Sequence, residues 1–513
     1  MRLIARPIDL EAGGKFIVIL NNDDAAYLGV RSLDRVCVNY NGKALTAIVN
    51  TTNKFTLKGE IIANDDITDY FGLKGGEHLN VEPQNGIEST KYIKQKLCGA
   101  RLEYDKIKTI IRDVVDNKVS TVELAAFITA LHTQGISIDE AANLSMAMVE
   151  TGKTLKLNQS IICDKHSIGG IPGDKTSLIL VPIVAAAGLT IPKTSSKAIT
   201  SPSGTAERMA TLAPVNLTLE EIREVVNKTN GCLVWGGALD LAPADDMFIN
   251  IEYPLGIDPM LLPSIMSKKK AIGANYVVID IPIGREAKIK TADQARELAE
   301  DFMELGKRLD MHIVCGITYG EQPLGHYIGP ALAAKEALLT LRGKGPKDVV
   351  GKATSLAGLL FETIGKGNRM TALQLLKNGK ADKKLREIIE AQGGNPNIKP
   401  DDLPIGEKYA TVKAEKDGRV LWINNSFIVL IARRAGAPLD AGAGMHLNVK
   451  TGDSVRKGQT LFTIFSNNYN RLNEALELAE ELKPLTVGKQ CEEKMLLGQM
   501  KGTSSNSIFV LDR

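Results

Sequence analysis

The chain alternates between three kinds of hydrophobic pattern. Within residues 1–86 short alternating runs follow turns. The stretch Tyr27–Val38 (YLGVRSLDRVCV) aligns without gaps on Tyr70–Val81 (YFGLKGGEHLNV), each reading as a helical turn, a glycine stop and a strand. Residues 87–158 switch to helical spacing, with Leu124, Phe127, Ile128 and Leu131 on one face. Ser120 with Glu123 and Ser137 with Glu140 form capping boxes, and Gly135 is a stop between them. From 159 the pattern becomes strand, loop, helix. The apolar run Ile161–Cys163 meets a charged, glycine-rich turn, Asp164–Gly170, and Asp174–Ser177 then opens an apolar helix over Leu178–Leu189. A second apolar run, Leu189–Pro192, leads into a hydroxyl-rich loop through Thr205 and a polar helix from about Ala206. Thr218 with Glu221 caps a helix that stops at Gly231. Further on, strand Val277–Ile281, helix Ala292–Leu309, strand His312–Thr318 and helix Pro330–Leu341 alternate. That alternation predicts an α/β sheet with ligands at the strand C-terminal ends. A polar linker occupies 393–408.

The internal repeat predicts a pseudo-symmetric barrel at the N-terminus, similar to double-psi barrels. Residues 409–513 read as α+β, and Gly452–Gln459 carries a hairpin signature that resembles biotinyl and lipoyl barrels. The partner segment GRVLWINNSF has no lysine at its turn for attachment, so this part is expected to serve packing.

At 513 residues the chain needs several cores. Its net charge of +3, without a basic stripe, and its 5% aromatic content argue against nucleic acid as a partner. Six cysteines lie far apart, with no CxxC pair or Cys/His cluster, so neither a metal site nor a disulfide framework is expected. The longest apolar run is well short of a membrane span and no signal-peptide core opens the chain, so the expectation is a cytoplasmic protein with no membrane partner.

Candidate chemistry concentrates in residues 159–210. Two successive strand ends feed two helix starts, each rich in Ser, Thr and Gly and each with lysine. Unpaired helix N-terminal amides, close backbone approach at glycine and a lysine charge together favour anions. Ordinary capped turns use the same residues, but two such loops in tandem favour two anionic groups. Asp240, Asp245 and Asp246 lie beside Pro or Gly as turn residues do, and the lysines of SIMSKKK are either solvated or reach an anion. Lys288 stands at a strand end, while His132 and His446 read as structural.

The motifs DKHSIGG, GDKTSL, GTAERM, SIMSKK and EQPLG, in this order, resemble the thymidine and pyrimidine-nucleoside phosphorylases. IPKTSSKAITS, SPSGT, WGGALDLAPADD and the extra N-terminal barrel resemble a narrower group, the AMP phosphorylases typical of archaea. The resemblance covers essentially the whole chain. It implies a multidomain α/β fold: a barrel at 1–86, a helical lobe from 87–158 and 226–270, an α/β lobe from 159–225 and 271–408, and a C-terminal α+β domain at 409–513. It also implies phosphorolysis of AMP, with CMP and UMP as further substrates, to free base and ribose 1,5-bisphosphate. Inorganic phosphate is the co-substrate, no cofactor is needed, and a homodimer or larger homo-oligomer is expected. The phosphate-binding candidates are Lys165, Ser167, Thr176 and Ser177. The AMP-binding role falls on Gly169, Ser195, Ser196, Lys197, Ala198, Ile199, Thr200, Thr205, Ser264 and Lys288, with His166 and Lys268 as further candidates. The proton donor to the leaving base is Asp258. The loop from Asp258 to Ser264 is shorter here than in the family, so Asp245 or Asp246 stands as the alternative donor. A long thymidine phosphorylase and a non-catalytic nucleotide-binding regulator remain the competing readings.

Overall fold

The computed structural model describes residues 1–84, 86–198 and 201–489. The first of these segments closes into a six-stranded barrel. Its symmetry follows from the repeat. Ile17–Asn21 runs parallel to Lys43–Thr52 as Glu60–Ala63 runs parallel to Arg2–Pro7. Arg35–Tyr40 is antiparallel to Lys43–Thr52 as His78–Pro83 is to Arg2–Pro7. The two halves meet antiparallel along Ile17–Asn21 with Glu60–Ala63 and along Arg35–Tyr40 with His78–Pro83. The equivalent helices Asn22–Leu28 and Asp65–Phe71 both end at a left-handed glycine, Gly29 at φ 71° and Gly72 at φ 69°. Alternate residues such as Leu3, Val36, Val38, Leu79 and Val81 fill the interior.

Helices Glu88–Leu97, Tyr104–Val115, Thr121–Gln134, Ile138–Thr151 and Pro243–Leu255 share a second core, in which the Phe127 and Phe248 rings lie 6.4 Å apart. The capping boxes at Ser120, Ser137 and Thr218 all form. Leu261–Ala271 packs on Ile138–Thr151 and also sends Ile265, Met266 and Ala271 into the core of the sheet, so it links the bundle to the sheet.

That sheet is parallel. Tyr276–Ile283 lies between His312–Tyr319 and Cys163–Ser167. A parallel bridge from Ile162 to Thr190 leads on to Ile191–Ser195, which pairs with Gly231–Trp235. Thr176–Ala186, Pro330–Leu341, Lys347–Ile364 and Lys380–Ala391 cover one face. Leu219–Thr229 and Ala292–Arg308 cover the other. Two expectations change here. Asp164, Lys165 and His166 belong to the strand Cys163–Ser167 itself, not to a turn after it, because amines and carboxylates from other elements neutralise Asp164 and Lys165 inside the sheet, where His166 lies as an uncharged ring. Gly231–Trp235 is a strand of this sheet, although it falls within the 226–270 segment grouped with the helices.

The C-terminal part contains two antiparallel sheets and the helices Asn425–Arg434 and Tyr469–Leu482. Gly452–Gln459 is not a hairpin: Ser454–Val455 pairs with Gly418–Ile423, whereas Thr460–Ser466 pairs with Lys408–Lys413 and Gly444–Leu447 in the other sheet. Of the expected 409–513 domain, residues 490–513, including Cys491, lie outside the described residues. Among the described residues no helix is long and apolar enough to cross a membrane.

Candidate active site

The C-terminal edge of the sheet gathers the candidate residues into four neighbouring groups. The first is a buried ionic cluster. Lys165 Nζ lies 3.7 Å from Asp174 and 3.9 Å from Asp280. Asp280, wholly buried in its strand, accepts hydrogen bonds from Ser167 Oγ at 2.7 Å and Thr318 Oγ1 at 2.6 Å. Lys352, from helix Lys347–Ile364, reaches the same carboxylate at 2.8 Å. Thr176 Oγ1 donates to Asp174 at 2.5 Å, and the Thr176 amide donates to the same oxygen at 3.0 Å. Burial opposes the charge on Asp174, yet Lys165, Lys352 and Arg208 together hold it well below the usual carboxylate range. Ser177 is buried in the first turn of the same helix. Thus two of the predicted phosphate-binding hydroxyls, Ser167 and Thr176, direct their hydrogens at carboxylates of the chain.

Behind this cluster, Asp164 pairs with Lys269 at 2.7 Å and stands 4.0 Å from Lys193. Burial and the neighbouring Lys269 push Lys193 well below its ordinary value. Burial and then Lys269, Lys193, Lys165 and Lys268 do the same to His166, so its ring is neutral at physiological pH. Lys175, the other lysine of this loop, is turned away. Its ammonium donates to the carbonyls of Leu324 at 2.9 Å and Tyr327 at 3.0 Å and pairs with Glu336.

The second group is the mouth. Gly169 and Gly170 take φ values of 86° and 91°, and a side chain on Gly170 would come within 3.2 Å of the Lys288 amide. The turn therefore lies directly on the segment that carries Lys288. Lys288 Nζ is 3.4 Å from Asp258 Oδ2, and both side chains are about half exposed. Sequence positions 169, 258 and 288 are thus brought together.

The third group is on the helical lobe. Asp245, wholly buried, accepts from Ser264 Oγ at 2.8 Å and pairs with Lys268 at 2.6 Å. Burial works against the Lys268 charge, but Asp245 and Asp246 hold its pKa above the ordinary value. Asp246 lies 4.0 Å from Lys268 and is exposed. Of the three candidate carboxyls, Asp245 is thus enclosed and paired, whereas Asp246 and Asp258 are exposed.

The fourth is the hydroxyl-rich loop. Ser195 Oγ donates to the Val234 carbonyl at 3.3 Å, and Lys197 rests on the Trp235 ring with its nitrogen 3.7 Å from the centroid. Ser196 is exposed, and Thr205 begins the helix Thr205–Ala210. The Ala198 and Gly204 amides both donate to Glu207, at 2.7 and 2.9 Å. The anion that this loop holds in the structure is therefore its own carboxylate. Ile199 and Thr200 lie outside the described residues.

Residues 90–152 match the glycosyl transferase family helical bundle domain, 159–382 the glycosyl transferase family a/b domain, and 420–485 the pyrimidine nucleoside phosphorylase C-terminal domain. An AMP phosphorylase of Thermofilum pendens is 47% identical over 98% of this chain and 98% of its own. Those of Pyrococcus furiosus and Thermococcus kodakarensis are 48% and 47% identical over 95% of this chain and 98% of theirs. The chain belongs to the AMP phosphorylase family. Asp280, Lys352, Arg208 and Glu207 are among the members of the site region to which the sequence attached no role. Asp280 had one signal, a lone acid inside the apolar run VVIDIPI. Lys352 had none, because nothing in a helix sequence tells which distant strand it will meet.

Proposed function

We propose that this protein is a pentosyltransferase that cleaves AMP with inorganic phosphate into adenine and ribose 1,5-bisphosphate, accepting CMP and UMP as well. The observation that carries this reading is the juxtaposition, at one sheet edge, of a buried lysine cluster with an exposed carboxyl–lysine pair. The cluster around Lys165 draws in the attacking phosphate, with Ser177 and the first amides of its helix beside it. The 5′-phosphate and ribose of AMP are held by Gly169, the loop from Ser195 to Thr205, Ser264 and Lys288. A phosphate oxygen attacks C1′ as the C1′–N bond breaks through an oxocarbenium-like state, and the bond pair leaves with the base. Asp258 is the general acid that passes a proton to a ring nitrogen of that base, and closure of the lobes excludes water. Lys288 then remains with the carboxylate that results. His166, neutral, is available to hydrogen-bond the ribose. The reaction needs no cofactor on this reading, and its partners are the small molecules AMP and phosphate. A homo-oligomer is proposed from the exposed apolar side chains Tyr27, Leu33, Phe55 and Leu57 on the barrel and Leu439 in the C-terminal part.

The test is release of base from AMP, adenosine and thymidine in the presence of phosphate. AMP is expected to turn over fastest. Faster cleavage of thymidine would support the thymidine phosphorylase reading instead, and no cleavage of any of the three would support a regulator. Asp258→Asn is expected to lower kcat by about a hundredfold or more, in the range of a lost general acid, while AMP still binds. Unchanged turnover would remove Asp258 from the mechanism.

A further inference from the structure

Lys352 lies in no motif, yet its side chain is 6% exposed and its ammonium comes within 2.8 Å of the carboxylate that also receives Ser167. Apart from this ion pair, Nζ is buried with no hydrogen-bond partner among the described residues, and Asp174 faces it only through its charge. An ammonium has three N–H groups to satisfy, and a buried one left unpaired is costly. Lys165 Nζ, Ser167 Oγ and Lys352 Nζ all surround the same oxygen, Asp280 Oδ2. Their donor capacities differ. Ser167 has one hydrogen and directs it at Asp280, so it offers an anion nothing while that bond persists. Lys352 offers several. The charges are shared in the same way: Lys165 and Lys352 both reach Asp280, and Asp174 faces Lys165, Lys352 and Arg208, so neither carboxylate is reserved to one cation and the lysines can meet an added anion as well.

We propose that Lys352 is a direct ligand of the attacking inorganic phosphate, reaching the site from the helix on the far side of strand Tyr276–Ile283 and supplying the hydrogen bonds that Ser167 directs elsewhere. Burial alone would weaken its charge, but Asp174 and Asp280 raise its pKa above the ordinary value, so it meets phosphate as a cation. This inference rests on the phosphorylase reading and adds to it the group that fixes the phosphate.

The experiment is steady-state kinetics of the full-length wild type, Lys352→Met and Lys352→Arg, with phosphate and AMP varied separately. Each variant is also melted with and without inorganic phosphate. Lys352→Met is expected to raise KM for phosphate about tenfold or more, to leave KM for AMP within about threefold and to lose most of the phosphate-induced rise in Tm. Lys352→Arg, which keeps the charge, is expected to recover part of the phosphate affinity. If Lys352→Met instead lowers Tm and kcat while KM for phosphate and the phosphate-induced Tm rise stay as in wild type, the lysine is structural and the proposal is overturned. Lys352→Gln, closer in shape and still a donor, takes the place of the methionine variant if that one does not fold. Should the wild type fail to cleave AMP, the phosphorylase reading fails on its own, and the phosphate-induced Tm difference still decides on Lys352.

Discussion

Glu252 illustrates how a single buried carboxyl can connect the lobe to the proposed proton donor. It lies on helix Pro243–Leu255, on the same face as Asp245, and accepts the Met260 amide at 3.1 Å. Met260 follows Asp258 by two positions, so this bond ties down the turn that carries the proposed donor. Burial raises the Glu252 pKa to about 7; the Met260 bond and Lys288 oppose the rise, and Asp258 and Asp245 add to it. The sign is the reverse of an ordinary salt-bridged acid. The folded state holds the proton more tightly than the unfolded chain, whose glutamate titrates near 4.3. The resulting stability is present in full below that value and is lost as pH rises through about 7. Glu252→Gln keeps an acceptor for Met260 but removes the titration. Its Tm is therefore expected to fall less than that of wild type between pH 5 and pH 8, by thermal melts in matched salt. Equal falls would show that Glu252 does not titrate in this window.

At the scale of elements, local signals carried well. Capping boxes and glycine stops are decided within a few residues, and those at Ser120, Ser137, Thr218, Gly29 and Gly72 all appear in place. Patterns whose outcome depends on distant partners did not carry. DKHS looked like a polar turn because its partners Lys269, Lys193 and Asp280 are remote in sequence. The site residues were legible as a set, through their motifs, but not in their pairing: neither Glu207 on the Ala198 and Gly204 amides nor Asp280 on Ser167 follows from spacing. Lys175 belongs to the same class. It stood in an anion-loop motif, and the structure uses it to fasten the Leu324–Tyr327 loop to helix Pro330–Leu341 through Glu336. Glu336 also accepts the His326 amide at 3.0 Å, so the pair is enclosed by backbone on several sides. Lys175→Met would leave a buried carboxylate without its cation and is expected to cost about 3–5 kcal/mol. Lys175→Met with Glu336→Leu removes both charges and is expected to regain a good part of that loss. Urea unfolding of the two variants checks this, and an equally unstable double variant would locate the cost in the lost packing.

At the scale of the whole molecule, the barrel stands apart from the catalytic lobes. Its core is made of its own residues, and closure leaves no strand edge exposed for pairing. Its described polar contact with the helical lobe is Arg35, whose Nε donates to the Asn117 carbonyl at 3.4 Å and which also faces Glu123. None of the four groups of candidate site residues includes a barrel residue. A chain beginning at Gly86 should therefore keep kcat and both KM values within about threefold, since an interaction absent from the transition state leaves them unchanged. The barrel alone should melt cooperatively, because its repeat supplies two interlocked halves and small domains of this size can fold unaided. What the truncation should change is association, because it removes the exposed Tyr27, Leu33, Phe55 and Leu57. Sedimentation of the full chain and the truncated one, beside their AMP phosphorolysis rates, separates the two roles. Smaller particles with undiminished turnover would assign the barrel to assembly. A truncated protein that assembles normally but loses turnover would instead mean that the barrel acts on the cleft through Arg35 and the helical lobe.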